Sequence, residues 1–179
     1  MRLKYTLCFI RRGNQILLLN RQSSPWMGRW NGVGGKLQPD ESPLACVLRE
    51  VYEETGISLE TAQYRGLITW PHHWDEPTEH NGMPKNKDHE DQEKEGLYVY
   101  IADVSPGFSY ETPKAFEEGI LDWKEISWIM NPENLGVASN AQKILPTLLT
   151  DERCYEHFCV FENHDVVGYR ATVLTEEGK

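Results

Sequence analysis

The sequence is poor in basic residues and in long apolar runs, and each deficit excludes a class of protein. Only 18 Lys and Arg residues stand against 28 Asp and Glu, which gives a net charge of -10 at neutral pH. This balance argues against stable nonspecific binding to nucleic acid or to an anionic membrane, because both require clustered cations. No run reaches the roughly 18 apolar residues of a membrane-spanning helix, and the N-terminus lacks the pattern of a signal peptide. We therefore expect a cytoplasmic protein without a membrane partner.

Paired cysteines are also missing. Cys8, Cys46, Cys154 and Cys159 form no C-x-x-C motif, and the closest two have no second pair to complete a zinc site. Free cysteine usually behaves as a small buried hydrophobe. We predict reduced, structural thiols.

The order of the apolar segments predicts an α/β (α+β) layered fold in one domain over residues 1–179. Hairpins are predicted around Gly13-Asn14 and around 163–165. Strands are predicted at 5–10, 15–20, 63–70, 97–103, 119–123, 156–161 and 166–173, with helices at 43–55 and 138–149, the second kinked by Pro146. The polar, histidine-containing stretch at about 71–95 is interpreted as a solvated loop insertion, and its position leaves open a role as a lid.

The first helix has clear start and stop residues. Ser42 is a good N-cap, Pro43 suits the first helical position, and Gly56 suits the C-terminal stop. Its apolar positions follow the i, i+3, i+4, i+7 pattern of one buried face: Leu44, Val47, Leu48 and Val51. Just upstream, the three glycines within residues 30–37 favour close approach of the backbone to a ligand over regular strand packing.

Three carboxylates of this helix form the strongest chemical pattern. Glu50, Glu53 and Glu54 fall at i, i+3 and i+4, so a helix places them on one face, roughly opposite the apolar stripe. Like charges this close repel unless a hard divalent cation, Mg²⁺ or Mn²⁺, lies between them. Arg49 can hold the carboxylates by forked hydrogen bonds. The pattern predicts attack of water on phosphorus, with a carboxylate accepting the proton. A helix face that is acidic only because it is solvated would not require particular residues at fixed distances on either side of it.

Those fixed residues make the whole segment resemble the signature of the Nudix hydrolases. Nine positions match, namely Gly35, Glu41, Arg49, Glu50, Val51, Glu53, Glu54, Gly56 and Ile57. The resemblance implies an α/β/α sandwich around a mixed sheet and a substrate with a nucleoside diphosphate linked to another group. It also implies that Glu53 and Glu54 bind Mg²⁺, that Glu50 is a metal ligand or the general base, and that the carbonyl of Gly35 joins the metal shell.

Residues 28–36 further resemble the MutT-type members, which remove oxidised purine nucleoside triphosphates. By that resemblance Asn31 contacts the base, Arg21 lies by the phosphates, and Glu118, with Glu117 as its rival, is a further metal ligand. Gly34 and Lys36 belong to the same candidate substrate site. Trp30 could equally pack in the core, and Asn31 could equally serve the turn.

One stretch departs from the MutT-type pattern. Mammalian members read the oxidised base with two aspartates downstream of the position of Trp123, where this chain has Asn131, Pro132, Glu133 and Asn134. Asn134 is therefore a candidate substrate contact, and selectivity for 8-oxoguanine is inferred rather than read from residues.

Three functions follow as hypotheses. The first is hydrolysis of oxidised purine nucleoside triphosphates such as 8-oxo-dGTP to monophosphate and pyrophosphate. The second is hydrolysis of a nucleotide sugar such as ADP-ribose, an alarmone, a dinucleoside polyphosphate or a 5'-triphosphate RNA end. The third is a Nudix-fold binding module, which is disfavoured because the carboxylates are kept. The expected partner is a small nucleotide, and the protein is expected to be a monomer or a homodimer.

Overall fold

The computed structural model describes residues 2–71 and 94–175, which form a mixed nine-stranded sheet with helices on both faces. The predicted insertion therefore lies almost wholly outside the described residues. The strands are β1 (Arg2–Arg12), β2 (Gln15–Arg21), β3 (Trp30–Asn31), β4 (Gln63–Pro71), β5 (Lys94–Val104), β6 (Lys114–Phe116), β7 (Gly119–Glu125), β8 (Tyr155–Glu162) and β9 (Asp165–Val173). The helices are α1 (Pro43–Thr55), α2 (Ile126–Ile129) and α3 (Ser139–Thr150).

The strand order is β6-β7-β2-β1-β5-β4-β8-β9, with β3 paired to β2 beside this path. The β1–β5 and β4–β8 pairs are parallel, and the others are antiparallel. Both predicted hairpins are present. β8 and β9 are joined by Asn163 and His164, which both have positive φ, as a tight turn between twisted strands requires.

Alternation along the central strands builds two cores. On β1, Phe9 packs with the residues of α3, whereas Cys8 and Ile10 pack with those of α1. Successive side chains of a strand point to opposite faces, so each central strand contributes to both layers. The predicted α/β/α sandwich with a mixed sheet is confirmed.

Helix α1 begins and ends where the sequence indicates. The Ser42 hydroxyl accepts a hydrogen bond from the amide of Ala45, and Gly56 ends the helix in the left-handed conformation. The predicted apolar face needs one correction, because Leu44 is 39% exposed. This first-turn residue extends beyond the part of the helix that the sheet covers. Glu54 is buried instead, so the carboxylates do not all lie opposite the apolar face.

The glycines of residues 30–37 make their closest approaches to the protein itself. Val33 exchanges backbone hydrogen bonds with Cys8, and Thr6 donates to the carbonyl of Gly35. Gly34 has a φ of 149°, and a side chain there would meet the backbone of Thr6. The expected close approach is therefore to β1, and this segment closes the sheet beside α1.

Several features have no counterpart in the sequence patterns. Strand β6 and helix α2 are too short to leave a periodic signal. Pro146 lies inside α3, whose helical span continues to Thr150, and the kink stays a prediction. All four cysteines are free, and all but Cys154 are buried. Among the described residues, no helix has the length and apolar character needed to span a membrane.

Candidate active site

A cavity of about 600 Å³ opens between α1, the 30–37 segment and the β8–β9 hairpin. Two parts of its lining differ in chemistry. We call Glu50, Glu54 and Glu118 the acidic wall. We call the second group, Trp26, Asn31, Trp70, Asn140 and Phe161, the amide–aromatic wall.

Glu54 is the most buried carboxylate of the acidic wall, with 8% of the residue exposed. Its Oε2 atom accepts a hydrogen bond of 2.8 Å from the amide of Gly34. Burial raises the pKa of Glu54 to about 7 against the lowering effect of that hydrogen bond, and the charges of Glu50 and Glu118 add to the rise. The acidic wall therefore concentrates negative charge that protein contacts only partly compensate.

Arg49 organises the carboxylates outside that buried point. Its Nε and one terminal nitrogen donate to the two oxygens of Glu41, at 2.8 Å each. The other terminal nitrogen donates to Glu50 at 2.8 Å and to Glu53 at 2.9 Å. The hydrogen bond from Arg49 lowers the pKa of Glu41 to about 2. The same hydrogen bond raises the pKa of Arg49. Part of the repulsion expected from the sequence is thus balanced by this guanidinium.

Gly35 and Glu50 lie in direct contact. A side chain at Gly35 would overlap the carboxylate of Glu50, so a larger residue there would displace that carboxylate from its present position. The carbonyl of Gly35 accepts the amide of Thr6 at 2.8 Å, and a carbonyl oxygen carries a second lone pair.

The acidic wall fits a divalent cation in its donor chemistry. Within residues 2–71 and 94–175, no three His, Cys, Asp or Glu side chains already form a metal-holding group. Magnesium, however, commonly takes only one or two carboxylates and completes its shell with waters and substrate phosphate oxygens. Hard oxygen donors around the buried charge of Glu54 match that requirement.

Arg21 lies at the same wall. One of its terminal nitrogens is 3.8 Å from Glu118, and its charge acts on Glu54. Its Nε is buried and has no hydrogen-bond partner among the described residues, and the residue lines the cavity. Glu118 lines the cavity and Glu117 does not, so the geometry favours Glu118 of the two glutamates.

The amide–aromatic wall is built around two buried asparagines. Asn31 Oδ1 accepts the amide of Gly32 at 2.9 Å, and its Nδ2 lies 3.4 Å from Oδ1 of Asn140. Both residues are 5% exposed. Asn140 was absent from the sequence-based candidates. The sequence contains one indication of its role, because Asn140 is a polar residue on the buried face of α3, four positions before Ile144.

Aromatic rings complete this wall. The ring of Phe161 lies 5.8 Å from that of Trp26 and 6.4 Å from that of Trp70, both edge-to-face. These side chains come from the 22–29 loop, β4 and β8. Nothing in their local sequence predicts that they meet, because only the assembled sheet and loop bring them together.

The structure places the predicted substrate residues in two groups. Four of them line the cavity, namely Arg21, Asn31, Gly34 and Lys36. Trp30 and Asn134 do not line it. The ring of Trp30 lies 4.2 Å from Nζ of Lys124, and Asn134 caps its own loop through bonds to the carbonyl of Trp128 and the amide of Gly136.

Comparison with known proteins agrees with this geometry. Residues 1–148 match the NUDIX domain. The chain is 30% identical over 165 residues to the oxidized purine nucleoside triphosphate hydrolase of Mus musculus, covering 92% of this chain and 91% of that protein. It is 29% identical over 128 residues to the uncharacterized Nudix hydrolase YvcI of Bacillus subtilis, covering 72% and 69%. The crystal structure of a MutT protein from Bacillus halodurans shares the fold, with a TM-score of 0.69 and 24% identity over 93% and 95% of the chains. The chain therefore belongs to the Nudix family of hydrolases.

Proposed function

We propose that the protein is a Mg²⁺-dependent pyrophosphohydrolase that cleaves oxidised purine nucleoside triphosphates, such as 8-oxo-dGTP, to nucleoside monophosphate and pyrophosphate. The observation that carries this proposal is one cavity lined both by the acidic wall and by the buried Asn31–Asn140 pair. The named activity of the mouse relative supports the same substrate class.

The acidic wall is assigned to the metal. Glu50, Glu54, Glu118 and the carbonyl of Gly35 line the cavity and would hold Mg²⁺, or Mn²⁺ in its place. Glu53 does not line the cavity, and its side chain, which is 55% exposed, would join from the solvent side. Such an ion, when bound, neutralises phosphate charge and polarises the phosphoryl oxygens. Carboxylates that repel one another in its absence are then stabilised.

The remaining polar groups position the reactants. Glu50 or Glu53 accepts the proton of the attacking water, and Arg49 holds both carboxylates in place through one nitrogen. Arg21 and Lys36 line the cavity beside the acidic wall and bind phosphate oxygens.

The amide–aromatic wall is assigned to the base. An asparagine side chain offers both a donor and an acceptor, which suits the mixed edge of a purine. Asn31 and Asn140 are buried. A base that leaves either amide without a hydrogen-bond partner therefore binds more weakly, because the desolvation of that amide is not compensated. Trp26, Trp70 and Phe161 supply apolar area for the ring.

A substrate screen with product identification tests the proposal. Purified protein with Mg²⁺ is assayed against 8-oxo-dGTP, dGTP, dATP, ADP-ribose, a dinucleoside tetraphosphate, a guanosine alarmone and a 5'-triphosphate RNA. We expect the highest kcat/KM for 8-oxo-dGTP, with 8-oxo-dGMP and pyrophosphate as products and no turnover in EDTA. Faster cleavage of ADP-ribose, or release of orthophosphate from 8-oxo-dGTP, would show that the substrate class is wrong while leaving the enzyme class intact.

A further inference from the structure

Two loops that are distant in sequence are joined beside the amide–aromatic wall. Arg29, at the end of the 22–29 loop, donates through both terminal nitrogens to the two carboxylate oxygens of Asp165, and the second of these bonds is 3.3 Å long. Asp165 follows the turn between β8 and β9. We call this ion pair the clasp. Neither Arg29 nor Asp165 lines the cavity.

The clasp lies next to the ring of Trp26. The guanidinium carbon of Arg29 is 5.9 Å from the centroid of Trp26, within the range of a cation–π contact. Trp26 also meets Phe161 at 5.8 Å and His164 at 6.0 Å, both edge-to-face. Trp26, Phe161 and His164 all line the cavity, so a shift of the Trp26 ring would change the shape of the cavity.

The backbone at Trp26 is in an unfavourable conformation. Trp26 has a φ of 70°. A bulky side chain rarely adopts this left-handed region, and it stays there only when surrounding contacts hold it. The clasp joins the loop that carries Trp26 to the start of β9, and it therefore opposes relaxation of that loop.

Helix α3 ties the same turn to the base-binding amides. Ser139 Oγ accepts the amide of Val166 at 2.9 Å, which anchors the turn to the first residue of α3. The next residue, Asn140, pairs with Asn31. The 22–29 loop, the β8–β9 turn and the asparagine pair thus form one connected unit.

We infer that Arg29 and Asp165 are positioning residues that fix Trp26 against Phe161 and so set the affinity of the cavity for the nucleoside part of the substrate. This inference rests on the proposed function for the identity of the substrate. Because the clasp touches no residue of the acidic wall, it acts on KM and leaves kcat nearly unchanged.

Single substitutions in the clasp test this role by steady-state kinetics. Arg29→Ala and Asp165→Ala are each expected to raise KM for 8-oxo-dGTP roughly fivefold to tenfold through lost preorganisation, with kcat within about twofold of wild type. Arg29→Lys keeps the ion pair and should recover part of the affinity. A KM within twofold of wild type for both alanine variants would overturn the inference.

Arg11→Ala is the matched control. Arg11 also makes a forked pair, donating to the two oxygens of Asp103 through Nε and one terminal nitrogen. The side chains of Arg11 and Asp103 are exposed by 32% and 51%, against 29% and 52% for Arg29 and Asp165. That pair joins β1 to β5 and does not line the cavity. An equal rise in KM in Arg11→Ala would assign the effect to general loss of surface charge and refute the clasp.

A readout without turnover separates this inference from the proposed function. In protein labelled with 5-fluorotryptophan, Trp26→Phe identifies the fluorine signal of Trp26. That signal should shift or broaden in Arg29→Ala and stay unchanged in Arg11→Ala. If wild type fails to cleave 8-oxo-dGTP, the proposed substrate is wrong, and KM is measured on the nucleotide that the screen identifies. If the signal of Trp26 does not respond to Arg29→Ala, the clasp is wrong whatever the substrate.

Discussion

The acidic wall and the amide–aromatic wall line the same cavity but originate in different ways. Glu50 and Glu54 come from a single helix whose contacts with Gly34 and Gly35 involve a segment less than 25 residues away in the sequence. The amide–aromatic wall takes one residue each from five separate places between Trp26 and Phe161. Two of the three carboxylates of the acidic wall are therefore fixed by local spacing, and only Glu118 is brought in by the sheet, whereas every group assigned to selectivity depends on the whole fold.

The two walls also differ in what they contribute to stability. Glu54 is buried with a raised pKa, so its charged form disfavours folding in the absence of a cation. The asparagines and aromatic rings are neutral, and their burial in hydrogen bonds and ring contacts stabilises the fold. A substitution in each wall should consequently have opposite effects on the melting temperature.

Glu54→Gln is expected to have the largest effect on turnover. The amide oxygen of glutamine can still accept the bond from Gly34, but the negative charge assigned to the metal is lost. We expect kcat to fall about a thousandfold or more, equivalent to about 4 kcal/mol of transition-state stabilisation. Removal of a buried charge should leave the melting temperature in EDTA equal to wild type or higher.

Thermal unfolding with and without Mg²⁺ is the accompanying measurement. Wild type should gain stability on addition of Mg²⁺, because a ligand of the folded state stabilises it, and Glu54→Gln should gain less. Glu152→Gln, at an exposed position away from the cavity, is the control and should match wild type in both assays. Retention of turnover in Glu54→Gln would contradict the assignment of the acidic wall to the metal.

Asn140→Leu should act on substrate affinity rather than on the chemical step. Leucine fills a similar volume, but it leaves the Nδ2 atom of Asn31 without its protein partner. We expect kcat/KM for 8-oxo-dGTP to fall roughly tenfold or more, mainly through KM, which corresponds to the loss of about one buried hydrogen bond. Steady-state kinetics on 8-oxo-dGTP and dGTP would measure the change in selectivity.

Asn134→Ala provides the contrast for that experiment. The sequence placed Asn134 among the substrate contacts, whereas its amide caps the loop between α2 and α3. We expect its ratio of kcat/KM for the two nucleotides to stay within about twofold of wild type. A larger loss of selectivity in Asn134→Ala than in Asn140→Leu would reverse the assignment of the amide–aromatic wall.

The contrast between local and long-range contacts also explains which features the sequence could predict. Helix α1 was placed correctly because Ser42, Pro43 and Gly56 act within one turn of the helix ends. Periodicity also placed Val47 and Val51 in the core. It erred at Leu44 and on the direction of Glu54, because a helical period gives the relative angle of side chains and not the extent of the surface that covers them.

The amide–aromatic wall marks the limit of that reasoning. Asn31 was identified through a resemblance, but Asn140 and Trp26 were not, since their partners lie more than 100 residues away in the sequence. The same limit applies to Trp30, because the contact between its ring and Lys124 depends on the assembled sheet. Long-range pairing of strands and loops decides these positions, and a single sequence carries little information about it.

The dependence of folding stability on acid is the smallest expected effect at neutral pH. It distinguishes the strands β8 and β9, which support the amide–aromatic wall, from the Arg49–Glu41 contact beside the acidic wall. His157 on β8 is fully buried, with Nδ1 2.8 Å from the hydroxyl of Tyr169, and burial lowers its pKa to about 4. The unfolded chain therefore binds a proton between pH 6.5 and 4 that the folded protein excludes. The stability from neutral His157 is present above pH 6.5 and falls by up to about 3 kcal/mol as pH drops through this window. Glu41, with a pKa of about 2, stays ionised throughout.

His157→Asn should flatten this dependence, since asparagine does not titrate and its amide can either donate to or accept from the hydroxyl of Tyr169. Urea unfolding in EDTA at pH 7.5, 6, 5 and 4.5 compares the variant with wild type. Glu54 acts in the opposite direction, because its raised pKa makes the metal-free folded protein bind a proton between about pH 7 and 4.5, so only the difference between the two proteins reports His157. Parallel curves would show that His157 is not excluded from protonation. A difference that widens only below pH 6.5 would show that the β8–β9 scaffold of the amide–aromatic wall weakens in acid before the Arg49–Glu41 contact is lost.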